Sequence, residues 1–294
     1  MSIRDQLRGT GVALVTPFRS DNSVDFNALE KVIQHVLSGG VEYVVTLGTT
    51  GETPTLSKDE KRQIATFTIE KVAGRVPVVV GIGGNNTAEL VRELADFPLG
   101  KAAAVLSASP YYSKPSQEGL FQHYKALAAA SPKPLILYNV PGRTGRNLTA
   151  ATTIRLAKEV KNIAGIKEAS GDMAQCMEIL RDKPEPFLVV SGDDALAMPQ
   201  IACGMDGVIS VAANAFPKEF SDMVRAALKG DFKTAKAIND PLIAAYEIMF
   251  AENNPAGVKA AMAQQQLIGD YLRLPVVPLS EALQAKWRDY LGKN

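Results

Sequence analysis

Lys167 stands in the stretch IAGIKEAS (163–170), where Ile163, Ala164, Gly165 and Ile166 read as the inside of a sheet. The strand-like runs GVALVTPF, YVVTLGTT, PVVVGIG, AAAVLSASP, PLILYNVP, FLVVSGDD and GVISVAA contain no Lys or Arg. One reading is a lysine that caps the strand end and snorkels to water. The other is chemical. A lysine amine attacks a carbonyl only when neutral, so its ordinary pKa near 10.4 must fall by roughly three, an electrostatic work of about 4–5 kcal/mol. Desolvation supplies a change of that order. The resulting Schiff base turns the neighbouring carbon into an enamine nucleophile. This chemistry needs no metal or other cofactor. His35 and His123, remote in sequence and on helical segments, offer no metal site.

Other polar residues cluster at the ends of apolar runs. In GTTGE (48–52), Gly48 and Gly51 free the backbone, so N–H groups and the Thr49 and Thr50 hydroxyls can converge on a carboxylate; an ordinary strand-to-helix turn is the alternative. SPYYSKPSQEG places Tyr111 and Tyr112 side by side. Neighbours on an extended chain point opposite ways, so the two phenols serve different sites or pack at an interface. LYNVPGRTG holds Tyr138, three residues before Pro141, and Arg143 just beyond. A buried phenol can relay protons, and an arginine fork suits a carboxylate. GIGGNN (81–86) lacks the G-x-G-x-x-G spacing of a dinucleotide site. In SGDD (191–194), Asp193 or Asp194 reads as the cap of the next helix.

These residues need a scaffold that brings several strand ends together. The eight apolar runs, one of them IAGIKEAS, do not alternate, as expected for parallel strands covered on both faces. Each is followed by a helical pattern, at intervals of roughly 20 to 35 residues, the rhythm of an α/β fold closed as a (β/α)8 TIM barrel; an open doubly wound sheet is the other candidate. Predicted helices include FNALEKVIQHVLSGG (26–40), ending on glycines, and SKDEKRQIATFTIEKVAG (57–74), opened by a capping box of Ser57 and Glu60. Residues 1–216 read as the barrel. Residues 217–294 read as its eighth helix plus a C-terminal helical extension, with segments beginning near Pro255 and Ser280.

The chain of 294 residues is 46% hydrophobic and 21% charged, an ordinary globular balance. Lys+Arg of 32 against Asp+Glu of 31 argues against a nucleic-acid or membrane surface. Two cysteines exclude a disulfide framework and, with an N-terminus lacking a signal-peptide core, point to the cytoplasm.

Taken in order, GTTGE, SPYYSKPSQEGL, LYNVPGRTG, GIKEASG, SGDD and GVISV resemble the dihydrodipicolinate synthase (4-hydroxy-tetrahydrodipicolinate synthase) family, from about residue 9 to 275. The lysine and tyrosine motifs are shared across the pyruvate-dependent class I aldolases, including the N-acetylneuraminate lyases; the arginine of PGRTG and the paired threonines of GTTGE are more specific. The resemblance implies condensation of pyruvate with L-aspartate 4-semialdehyde, at the entry to diaminopimelate and lysine synthesis. It implies that Lys167 forms the Schiff base and Tyr138 relays protons. It further implies that Thr49 links Tyr138 to a Tyr112 from a neighbouring subunit, and that Thr50 holds the pyruvate carboxylate. Arg143 would bind the carboxylate of the aldehyde, with Gly192 and Ile209 lining the pyruvate pocket. A homotetramer of two tight dimers, or a homodimer, is implied.

Many family members are inhibited by lysine at the dimer seam. Asn85, Glu89 and Tyr111 match that site, with Thr53 replacing a serine, while Lys58 and Lys61 stand where sensitive members carry histidine. Their charge opposes a cationic ligand by about 1 kcal/mol per exposed pair, so inhibition is expected to be weak or absent. Two other readings stay open: a paralogous lyase cleaving a sugar acid or another 2-oxo acid, and a catalytically silent barrel that senses an oxo acid.

Overall fold

The computed structural model describes residues 1–292. Among the described residues, eight parallel strands close into a barrel: β1 (Gly9–Ala13), β2 (Tyr43–Thr46), β3 (Val78–Gly81), β4 (Ala104–Ala108), β5 (Leu135–Asn139), β6 (Ile163–Glu168), β7 (Leu188–Ser191) and β8 (Gly207–Ser210). β1 pairs with both β2 and β8, so no sheet edge is left open. Each strand buries both faces. Ala13, Tyr43, Val45, Val79, Leu106, Ile136, Val190 and Ile209 fill the interior. Val12, Val44, Val80, Val105, Leu137, Ile166, Val189 and Val208 pack outward, under the helices. This double burial makes the strands read as unbroken apolar runs. Interior space is tight: a Cβ on Gly11 would lie 2.2 Å from the Tyr43 ring. At the N-terminal end, the short helix Ile3–Gln6, capped by Ser2, inserts Leu7 as a plug.

The first strand is shorter than the run 11–18 suggests. After Ala13 the chain turns outward; the Thr16 hydroxyl donates to the Gly51 carbonyl at 2.7 Å, and Phe18 forms a lone bridge with Val24. The helix Phe26–Ser38 stops at Gly39 and Gly40, and Lys58–Val72 opens with the Ser57–Glu60 capping box.

Pro217–Leu228 follows β8, packs against β1 and Phe26–Ser38, and completes the outer ring. Phe232–Phe250, Ala256–Gln264 and Glu281–Leu291 then pack on one another. Trp287, fully buried, seals them against Phe216 and Tyr290. No helix among the described residues is long and apolar enough to cross a membrane.

Candidate active site

Alternation along β6 sends Ile166 outward, Lys167 inward and Glu168 outward again, at the C-terminal end of the barrel where strand-end loops assemble reactive groups. Lys167 pairs in register with Tyr138 of β5. Its Nζ lies 4.4 Å from the centroid of the Tyr138 ring. Both are buried, at 5% and 8% exposure. Among the described residues Lys167 enters no ion pair, whereas the other deeply buried lysine, Lys259, is matched with Glu52.

A cavity of about 130 Å³ opens in front of this amine. Thr49, Thr50, Tyr138, Arg143, Lys167, Gly192 and Ile209 line it, so seven residues picked out from sequence converge on one space. Arg143 lies at the exposed rim, on the short helix Pro141–Thr144. Thr49 and Tyr138 share the cavity without a hydrogen bond between them. Tyr112 is absent from it: with φ +67° and 91% exposure, its phenol stands off the surface beside the half-exposed Tyr111.

The wall behind Lys167 is polar but closed. Glu168, fully buried, accepts from Asn139 Nδ2 (2.9 Å), Gln175 Nε2 (3.1 Å) and Ser170 N (2.7 Å). Asn139 also donates to Asn147 at 2.7 Å. This network ties β5 to β6 one residue beyond the Tyr138–Lys167 pair. Just past the end of the adjacent strand β7, Gly192 is required by space, since a Cβ there would meet Ala169 Cβ at 2.6 Å and Lys167 Cε at 2.8 Å.

The two aspartates of SGDD diverge. Asp193 lines the cavity and caps the turn ahead of helix Ala197–Ala202 through Ala195 N (3.0 Å) and Leu196 N (3.2 Å). Asp194 instead reaches the backbone just past β8, accepting from Val211 N (3.1 Å) and Ala212 N (2.8 Å). Burial pushes its carboxyl up to about 6 in spite of those donors. His123 is a buried core side chain whose Nδ1 meets Thr87 Oγ1 at 2.8 Å, and burial lowers it to about 4. Among the described residues no cluster of His, Cys, Asp or Glu is arranged to hold a metal ion.

The GTTGE loop forms a single 3₁₀ turn, Thr49–Gly51, followed by Glu52 in the left-handed region at φ +53°. Three groups from the C-terminal region hold it, and none was apparent in the sequence. Lys259 pairs with Glu52 in a fully buried contact, and Arg273 N donates to the same carboxylate at 3.1 Å. Burial pulls the Lys259 ammonium below its ordinary range against the pull of Glu52. Asn254 Nδ2 donates to Thr50 Oγ1 at 3.0 Å, and Asn254 and Phe250 complete the cavity wall. These contacts join positions more than 200 residues apart, so no local spacing announces them.

Of the residues matched to an effector site, the structure joins Asn85 and Tyr111, through Tyr111 N donating to Asn85 Oδ1 at 2.8 Å. Thr53 is turned inward, donating to the Gly48 carbonyl at 2.8 Å. Lys58 and Lys61 lie on the first turn of Lys58–Val72, and Glu89 on Thr87–Asp96; none of the six lines the cavity in front of Lys167.

Residues 6–293 match the Dihydrodipicolinate synthetase family. A 4-hydroxy-tetrahydrodipicolinate synthase of Phocaeicola vulgatus is 49% identical over 291 residues, 99% of this chain and 98% of its own. A chloride-inhibited dihydrodipicolinate synthase of Acinetobacter baumannii, solved with pyruvate, superposes with TM-score 0.94 at 41% identity, covering 97% of this chain and 98% of that one. A structure described as the first monomeric dihydrodipicolinate synthase variant superposes with TM-score 0.95 at 36% identity, covering 99% and 97%.

Proposed function

This chain belongs to the dihydrodipicolinate synthetase family, and we propose that it condenses pyruvate with L-aspartate 4-semialdehyde through a Schiff base on Lys167. It is a lyase acting by aldol-type condensation, the 4-hydroxy-tetrahydrodipicolinate synthase reaction. The Nζ lone pair adds to the pyruvate carbonyl carbon, and loss of water leaves an imine. Removal of a methyl proton converts the imine to an enamine, whose terminal carbon attacks the aldehyde. The amino group of the semialdehyde then displaces Lys167 from the former carbonyl carbon, closing the ring and freeing the amine for another turn.

Each neighbouring group has a role in this scheme. Tyr138 takes and returns protons at the reacting carbon and oxygen. Thr50 donates to the pyruvate carboxylate, beside the backbone at Gly192 and Ile209. Arg143, at the exposed rim, takes the carboxylate of the incoming aldehyde. Thr49 carries the proton path from Tyr138 to a Tyr112 belonging to a second copy of the chain; the exposed, strained setting of Tyr112 favours that role. The assembly is then a homodimer or a homotetramer of dimers, working in the cytoplasm. At the Asn85–Tyr111 corner, Lys58 and Lys61 keep lysine inhibition weak, with half-effect in the millimolar range or above.

The observation that carries this reading is Lys167 itself, dry, unpaired and beside a phenol at the mouth of the barrel. The test is a coupled assay with both substrates on the wild type and on Arg143→Ala. The variant should lose most turnover of the semialdehyde while still forming the pyruvate adduct. A wild type that ignores the semialdehyde but cleaves a 2-keto-3-deoxy sugar acid would transfer the chain to the lyase branch. Pyruvate binding without turnover would make it a sensor.

A further inference from the structure

We infer that Asn254 is a positioning residue for pyruvate: it holds the Thr50 hydroxyl so that its proton is directed into the catalytic cavity. The inference rests on the reading of Thr50 as the carboxylate-binding hydroxyl.

A serine or threonine hydroxyl has one proton and two lone pairs, and it rotates to suit its partners. A hydroxyl that must donate to a substrate carboxylate works best when another group already occupies a lone pair, because its proton is then turned away from that group. Thr50 is in that situation. It is buried, and its Oγ1 accepts from Asn254 Nδ2 at 3.0 Å. Among the described residues its own proton has no acceptor. Both side chains line the cavity in front of Lys167.

Asn254 is not a satisfied core amide. It is buried, yet among the described residues its Oδ1 has no partner. An amide placed for stability alone would have both ends matched; a half-used amide on a cavity wall is a group held for a ligand. Its own anchorage is firm. Asn254 sits at the junction of Phe232–Phe250 and Ala256–Gln264, and one turn further on Lys259 fastens Glu52. The C-terminal helices thus grip the GTTGE loop at Thr50 and at Glu52, and the extension becomes part of the pyruvate site.

The test titrates pyruvate in borohydride trapping, which needs no second substrate, across wild type, Asn254→Ala, Thr50→Val and the double variant. Asn254→Ala should raise the half-saturating pyruvate concentration roughly tenfold, as for the loss of one hydrogen bond. Maximal trapping should stay within about twofold, and the substitution should add nothing in the Thr50→Val background. Additive effects in the double variant, or reduced maximal trapping at unchanged half-saturation, would overturn the inference. Should Asn254→Ala fail to fold, the isosteric Asn254→Asp removes the donor, and an unchanged half-saturation there would overturn it equally. A wild type that traps no pyruvate would instead overturn the proposed function, and this inference with it.

Discussion

At the scale of single residues, the site works by exclusion. Lys167 has room because Gly192 has no side chain, and the buried carboxylate that follows it in the strand, Glu168, faces the other side and is saturated by amide donors. Gly192→Ala should push Cε of Lys167 away from its position. Misplacement of that kind costs on the order of a hundredfold in turnover, and because the same Cβ would come within 2.6 Å of Ala169 Cβ, the backbone must also move and the melting temperature should fall. Steady-state rates and thermal melts on one preparation check this. Glu168→Gln is a different perturbation. Its new Nε2 would face the Asn139 amide together with either the Ser170 N–H or the Gln175 amide, donor against donor in both orientations, at a cost of about 1–3 kcal/mol in stability. Chemical denaturation measures the loss, and a variant as stable as wild type would mean the network is not held by the carboxylate.

At the scale of elements, the strands were legible because a parallel barrel buries both faces of each one and so spells it as an apolar run. The helices were legible from their caps, Ser57 with Glu60 and the glycines after Ser38. The lysine, the tyrosine and the GTTGE turn stood out because each sits where its residue type is unusual. Asn254 and the Glu52–Lys259 pair did not. Asparagine before proline reads as any turn, and a lysine on a helix reads as solvated until a distant carboxylate is seen beside it. Of the two aspartates read as a cap, Asp193 takes that place, while Asp194 binds backbone N–H groups just past β8, a partner no local spacing announces. The buried pair yields a prediction of its own. Lys259→Met leaves Glu52 buried and charged with no cation beside it, keeping only the Arg273 N–H and costing about 3–5 kcal/mol, whereas Glu52→Gln with Lys259→Met should recover much of that loss. Unfolding curves for the single and double variants decide it; equal stabilities for both would show the pair to be dispensable.

At the scale of the whole molecule, two carboxyls pull the acid stability in opposite directions. Glu60, gripped by the Arg273 fork, is held down to about 2. Its contribution is present above its ordinary range and is lost as pH falls through the window from about 4.5 to 2. Asp194, raised to about 6 by burial, binds a proton in the fold that it releases when unfolded, so its effect falls as pH rises from about 4 to 6. Asp194→Asn should therefore flatten the profile between pH 4 and 6, gaining on the wild type by up to about 3 kcal/mol toward neutrality. Melts at several pH values test the sign. The barrel, the loop grip and the cavity all serve one amine, and one measurement addresses it. Reduction with borohydride in the presence of pyruvate, followed by peptide mass mapping, should place a single adduct on Lys167. An adduct on another lysine, or none, would contradict the account.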